Sequence, residues 1–273
     1  MKERPVFAFD HEPSFAELWD RYLCVVQYPG TSFDGKGSDE GFVSDLAKLC
    51  ALKKITSSSK ILDTCCGTGF PALHLRKCGF DVDCMDASDD MIAVFKKNAL
   101  DLNVSDSAIK CNWEHMHDHL KTSSYDMLLC RGNSFIYAPG GWNSPLAIDR
   151  DQAMKVYQET FKIFYSMLKP GGYAYIDKFV DNEKPKHETI ARVKVGNGAE
   201  REMKISLEIK SASKQRRAEL CVDDGGDGEC YTSTSCNVSA AEMEQLIMEA
   251  GFTILERPVL ESEKHWDIFF AEK

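Results

Sequence analysis

From residue 60 onward the chain alternates short apolar runs with longer stretches whose apolar side chains recur every three or four positions. The short runs, 60–64, 81–85, 108–111, 125–130 and 173–177, read as strands; 71–78, 88–101 and 150–168 read as helices. Ser88, followed by Asp89 and Asp90, supplies a helix N-cap with acid in the first turn. Leu168-Lys169-Pro170-Gly171-Gly172 stops a long helix and turns it into a strand. Such alternation predicts an α/β fold, a mostly parallel sheet with helices on both faces.

The rhythm breaks after Asp177. Segments 188–195, 203–209 and 217–222 alternate polar and apolar residues between glycine-rich turns, which predicts antiparallel ribbon with one polar face. Ser239 then caps a helix that Gly251 ends, and 253–256 and 266–271 read as further strands. At the other end, Phe15, Leu18, Trp19, Tyr22 and Leu23, then Phe42, Leu46, Leu49 and Leu52, form two helical stripes. They flank a Gly-, Pro-, Ser- and Asp-rich loop over 28–41 that has the composition of a moving segment. The expected organisation is a helical cap or lid over 1–57, one α/β domain over 58–179 and 238–273, and an insertion over 180–237 that covers the substrate site. There are no internal repeats.

Size allows this: 273 residues suffice for one large α/β domain with an insertion. No run of 18 apolar residues predicts a membrane helix. The run Val6-Phe7-Ala8-Phe9 is too short for a secretion signal, so a cytoplasmic location is expected. The net charge of -10 argues against phosphate-backbone partners and for a small-molecule enzyme or binder. Among 11 cysteines there is one adjacent pair, Cys65-Cys66, and no C-x-x-C. Six of them (Cys65, Cys66, Cys78, Cys84, Cys111, Cys130) fall in or beside predicted core elements, where thiols act as small hydrophobes, so reduced thiols are expected.

The candidate chemistry sits where the first strand of this rhythm ends. Lys60-Ile61-Leu62-Asp63-Thr64-Cys65-Cys66-Gly67-Thr68-Gly69 is an apolar strand entering a turn with two glycines, which lets a ligand approach the backbone closely. The next strand ends on Asp86, at the spacing of an acid that holds a ribose hydroxyl pair. An adenosine cofactor therefore lies across the ends of the parallel sheet. A dinucleotide fits poorly: Ala72 stands at the third glycine position and Pro71 removes an N–H from the phosphate cradle. Asp63 beside the turn suits a cationic amino-acid tail and repels pyrophosphate.

These residues resemble the class I S-adenosylmethionine-dependent methyltransferases. Leu62 to Gly69 is similar to their first motif, Asp86 stands at their ribose acid, and Leu168-Lys169-Pro170-Gly171-Gly172 looks like their late-strand signature. The resemblance implies a Rossmann-like domain with a seven-stranded sheet. A closer resemblance is to the glycine N-methyltransferase and glycine/sarcosine methyltransferase family. It rests on Met85-Asp86-Ala87-Ser88-Asp89-Asp90-Met91, on Asn112-Trp113, which in that family packs the adenine, on Gly132-Asn133-Ser134-Phe135 beneath the methyl donor, and on Trp19-x-x-Tyr22, which closes over it. One position departs from the family: Phe179 stands where its carboxylate-binding arginine follows the fifth strand, and phenylalanine cannot grip a carboxylate. Lys178, or an insertion residue such as Arg192, is the candidate replacement, and a larger or already methylated amine stays open as substrate.

The implied cofactor is S-adenosyl-L-methionine. It is expected to be held by Trp19, Tyr22, Asp63, Cys65, Gly67, Gly69, Asp86, Ala87, Met91, Asn112, Trp113, Arg131 and Ser134. Asn133, Tyr137, Trp142 and Lys178 are the candidates to bind a small amine or amino acid, with Asn133, Tyr22 and Tyr137 nearest the reaction. Transfer from a sulfonium to a neutral amine needs alignment and exclusion of water more than a base. No metal is expected: His115, His117 and His119 lie in a charged segment, and Cys221, Cys230 and Cys236 are loosely spaced for a metalloid site. An O- or metalloid methyltransferase and a non-catalytic cofactor-binding module are the competing readings. Nucleic acid and membrane are not expected as partners, and a homo-oligomer is left open.

Overall fold

The strand–helix alternation builds a seven-stranded sheet in the computed structural model, which describes residues 4–22, 41–141, 148–179, 188–210, 215–223, 230–256 and 266–273. Its strands are β2 (Lys60–Asp63), β3 (Asp81–Asp86), β4 (Ile109–Lys110), β5 (Tyr125–Cys130), β6 (Leu168–Phe179), β11 (Thr253–Ile254) and β12 (Trp266–Glu272). They lie in the order β11-β12-β6-β5-β2-β3-β4, and all pairs from β6 to β4 are parallel. The last two strands run antiparallel, β12 against β6 and β11 against β12.

Alternation along the central strands sorts the core into two layers. Ile61, Met127, Leu129 and Tyr175 face α2 (Phe42–Leu52) and α3 (Ala72–Lys77); Leu62, Leu128 and Ile176 face α6 (Arg150–Met167) and α7 (Ala240–Glu249). The helix starts follow local chemistry. Ser88 Oγ accepts from Met91 N at the head of α4 (Asp89–Leu102), Asp149 accepts from Gln152 N before α6, and Ser239 with Glu242 forms a capping box before α7.

A second sheet has five strands in the order β1-β7-β8-β9-β10. It comprises β1 (Val6–Phe9), β7 (Glu188–Val195), β8 (Arg201–Lys210), β9 (Gln215–Asp223) and β10 (Cys230–Cys236). Its inner residues Ala191, Val193, Met203, Leu220 and Val222 bury against α1 (Phe15–Tyr22) and against Met91 and Val94 of α4.

Four expectations are corrected. The head of the chain is not wholly helical: Val6–Phe9 adds a parallel edge strand to β7, pairing Val6 with Arg192. The insertion contains β10 in addition to the three anticipated strands. At residues 168–172 the strand begins immediately after α6; Tyr125 pairs with Leu168 and Met127 with Tyr173, so 169–172 bulge from the ladder. And the thiols are not all reduced, because Cys221 and Cys230, register partners on β9 and β10, form a disulfide. The stretch 23–40, with Leu23 and most of the anticipated loop, lies outside the described residues.

Candidate active site

The glycine turn is splinted to the next strand. Cys66 N–H donates to Met85 O at 2.9 Å, Gly67 N–H to Asp86 Oδ2 at 2.9 Å, and Ser88 N–H to Asp86 Oδ1 at 2.9 Å. Asp86 thus holds the turn with one carboxylate oxygen and the mouth of α4 with the other. Gly67 at φ +51° and Gly69 at φ +116° use backbone open chiefly to glycine, and a Cβ on Gly69 would come 2.3 Å from Leu73 Cδ1. Asp63, almost fully buried, accepts from Cys65 N–H at 3.2 Å. Burial pushes its carboxyl up to about 7, helped by the nearby Asp86 charge and opposed by the Cys65 N–H and the Arg131 guanidinium. Burial also raises Asp86, against the N–H groups of Ser88 and Gly67.

Around this turn the structure collects a cleft of about 1170 Å³. That exceeds the roughly 300–1,000 Å³ of a pocket for one drug-sized molecule, so a donor and an acceptor fit end to end. Asp63, Cys65, Gly67, Asp86, Ala87 and Met91 line the end at the glycine turn, with Asn112 and Trp113 beside them. The Trp113 indole N–H donates to Thr64 O at 2.6 Å, and its ring meets Phe164 edge-on at 5.6 Å, so the tryptophan also fastens the turn. Trp19 and Tyr22 of α1 roof the cleft; Trp19 lies 6.2 Å from Phe15 and 5.3 Å from Tyr22, and Phe15 meets Tyr231 of β10 at 4.8 Å. On its buried side α1 is tied down by Asn98 Nδ2, which donates to Asp20 Oδ1 and to Thr68 O, both at 2.9 Å.

The far end begins where β5 stops. The Arg131 guanidinium lies 3.6 Å over the Phe42 ring and pairs with the fully buried Asp177 at 3.6 Å. Asp177 also accepts from Asn133 N–H at 2.7 Å and Gly132 N–H at 3.1 Å. Together they pin the loop at residues 131–134 with Asn133 left-handed at φ 57°. Arg131, Ser134 and Tyr137 line the cleft, and the Tyr137 hydroxyl receives a hydrogen bond from Arg216 Nη1 of β9 at 3.3 Å.

Three anticipated site residues stand apart from the wall. Gly69 sits beneath the turn. The Asn133 side chain is buried, the wall being formed by Gly132 and Ser134 on either side of it. Lys178 is buried against its register partner on β12, Asp267, at 3.5 Å, because successive strand residues point to opposite faces. Arg192 is likewise engaged, with Glu200 at 2.6 Å. Trp142 and the Phe179 side chain lie outside the described residues. Conversely, Phe15, Tyr231, Ser233 and Arg216 line the cleft unforeseen. Gln215-Arg216-Arg217 offers two adjacent arginines on opposite strand faces, and only the packing decides which one turns inward.

The histidine segment is a short exposed turn in which His115 faces Glu114 and Asp118 at 3.4 Å. The cysteine trio is not gathered: Cys221 and Cys230 are joined, and Cys236 lies at the other end of β10, about 20 Å along the strand. Among the described residues, no three His, Cys, Asp or Glu side chains are grouped to hold a metal.

Comparison with known proteins accords with this geometry. The family described as Methyltransferase domain matches residues 55–225, well over half of the chain. The chain belongs to the class I S-adenosylmethionine-dependent methyltransferases. It is 26% identical to a glycine/sarcosine N-methyltransferase of Halorhodospira halochloris over 62% of this chain and 53% of that protein. It is 29% identical to the glycine N-methyltransferase of Mus musculus over 48% and 44%. The chain thus spans about half the length of the curated relatives it matches. An S-adenosylmethionine-dependent methyltransferase of known structure from Clostridium acetobutylicum shares the fold, with a TM-score of 0.64 at 14% identity over 94% of this chain and 97% of that one. S-adenosylmethionine would fit this donor set: a buried acid at the glycine turn could face a cationic tail, and a second acid at the next strand end could accept from ribose hydroxyls.

Proposed function

We propose that the protein transfers a methyl group from S-adenosylmethionine to the amine nitrogen of a small amino acid or amine. The observation that carries this reading is the single cleft running from the Asp63–Gly67–Asp86 turn, past the loop at residues 131–134, to the inner face of the insertion sheet. The matched relatives named glycine or glycine/sarcosine N-methyltransferase support nitrogen as the acceptor atom. The metalloid alternative loses its thiol set to the Cys221–Cys230 disulfide.

When bound, S-adenosylmethionine supplies an electrophilic methyl on a sulfonium. On this reading Asp86 accepts from the ribose hydroxyls, Asp63 as carboxylate faces the ammonium tail, and Asn112 and Trp113 flank the adenine. Trp19 and Tyr22 close the roof and exclude water. Gly132 and Ser134, fixed through Asp177, place the acceptor nitrogen in line, while Tyr137 offers an aromatic wall. Asn133 contributes through its main chain, which Asp177 holds. The nitrogen lone pair forms the new N–C bond as the S–C bond breaks, and the resulting ammonium sheds its proton to water. No general base is needed for an amine that arrives neutral.

The test is incubation with methyl-labelled donor and a panel of glycine, sarcosine, dimethylglycine, histidine and simple amines. Label on a product nitrogen is expected; label on no nitrogen of the panel would sink the reading.

A further inference from the structure

The buried stripe of α4 is apolar with one exception. Met91, Val94, Phe95 and Leu102 recur at helical spacing, and on the same stripe stands Asn98, only 5% exposed. Burying a carboxamide is costly unless its hydrogens find acceptors. Both hydrogens of Asn98 Nδ2 do. One goes to Asp20 Oδ1 of α1, the other to Thr68 O, the carbonyl between the two glycines of the turn, each at 2.9 Å. These partners belong to opposite sides of the cleft. Thr68 lines it at the glycine turn, whereas Trp19 and Tyr22, flanking Asp20 in α1, line its roof. Phe15, Ala16 and Leu18 also bury α1 against Met91 and Val94, but apolar contact is non-directional and lets a helix slide. The Asn98 bridge is directional, and it sets the height of the roof above the turn.

We propose that Asn98 is a positioning residue that couples the roof helix to the glycine turn, so that the methyl donor is gripped from both sides together. The inference rests on the reading of Trp19 and Tyr22 as a roof over S-adenosylmethionine, and it names the device that docks them. Coupling follows from one nitrogen serving both bonds. A turn that shifts in an empty site draws Thr68 O away and lets the carboxamide rotate off Asp20, which loosens α1. A seated donor holds the turn, keeps the carboxamide in place and docks α1 over the cleft. A hydrogen bond to a charged acceptor is worth about 10–100-fold in an equilibrium. Donor affinity falls with the fraction of molecules whose roof is docked, so a residue outside the cleft wall controls binding inside it.

The test combines calorimetry of S-adenosylhomocysteine with amide hydrogen exchange on the full chain. In the unmodified chain the ligand should slow exchange in α1 as well as in residues 66–69. Asn98→Leu and Asp20→Leu should each weaken binding about 10–100-fold. The two together should cost little more than either alone, because they break one bridge. Asp20→Asn keeps an oxygen for Asn98 Nδ2 and should retain most of the affinity. In Asp20→Leu the ligand should still protect residues 66–69 and leave α1 unprotected. Protection of the turn without α1 in the unmodified chain, unchanged affinity in either leucine variant, losses that multiply in the pair, or Asp20→Asn binding as weakly as Asp20→Leu overturns the coupling. If the leucine variants do not fold, exchange in the unmodified chain and the affinity of Asp20→Asn decide the matter. Trp19→Ala separates this inference from the reading beneath it. Unchanged binding in Trp19→Ala would defeat the roof itself, whereas a loss there with none in Asn98→Leu would defeat the coupling alone.

Discussion

Asp63 is a buried acid whose carboxyl is pushed up to about 7, from 3.8 when unconstrained. The ligand-free folded chain therefore holds this proton more tightly than the unfolded chain. That contribution to stability is complete below the unfolded value and is lost as pH rises through about 7. A cationic tail reverses the preference, since it favours the carboxylate. Stabilisation by S-adenosylmethionine, read as a rise in Tm, should be larger at about pH 8 than at about pH 6, and Asp63→Asn should flatten the difference. Asp86 makes a separate prediction. Asp86→Ala removes the acceptor for the Gly67 and Ser88 N–H groups and, on the proposed reading, for the ribose, and should weaken cofactor binding about 10–100-fold by calorimetry with the acceptor KM little changed. Unchanged cofactor binding would refute the ribose assignment. Both acids are legible in the sequence because each ends a strand near the glycine turn. Arg216 is not, because Arg216 and Arg217 look alike until the sheet buries one.

The end of β6 does more than complete the sheet. Asp177 joins the Arg131 guanidinium to the Gly132 and Asn133 amides, so one strand-end carboxylate orders the loop from the neighbouring strand. Removing it takes a counter-charge from a buried guanidinium and the acceptor from two loop amides, and Asp177→Ala should cost about 3–5 kcal/mol in urea unfolding. A loss below about 1 kcal/mol would mean the loop is held by other contacts. Helix starts such as those of α4 and α7 were foreseeable because capping acts within four residues. The strand at Val6–Phe9 was not, since its pairing partner on β7 is remote in sequence and a four-residue apolar run is ambiguous alone. The bulge at 169–172 is not legible for a similar reason: Pro170 and the two glycines announce an interruption, and only the ladder with β5 fixes its shape.

The parallel sheet, α1 and the insertion sheet all border one cleft, so ligand binding should tighten the assembly of all three. At a hundredfold excess of donor over Kd, linkage gives about 2.7 kcal/mol. For a chain of this size that corresponds to a Tm rise of about 5 °C, measurable by scanning calorimetry. NAD should give no rise, because the turn lacks a pyrophosphate cradle; an equal shift with NAD would contradict the cofactor assignment. No helix among the described residues is long and apolar enough to cross a membrane.

The α/β rhythm, the helix caps, the glycine turn and the two strand-end acids beside it are local patterns, set by periodicity and by contacts only a few residues apart, and all are written in the chain. The closure of the site is a long-range property. Burial settles which face of β9 turns inward, carries Lys178 away to Asp267, joins Cys221 to Cys230, and sets Arg216 beside Tyr137. Each of these depends on strand register, between β6 and β12 for Lys178 and within the insertion sheet for the others, and a shift of one residue would exchange the two faces. Register comes from the packed sheet as a whole, so the glycine turn and its two acids are legible in the sequence and the far wall of the cleft only in the fold.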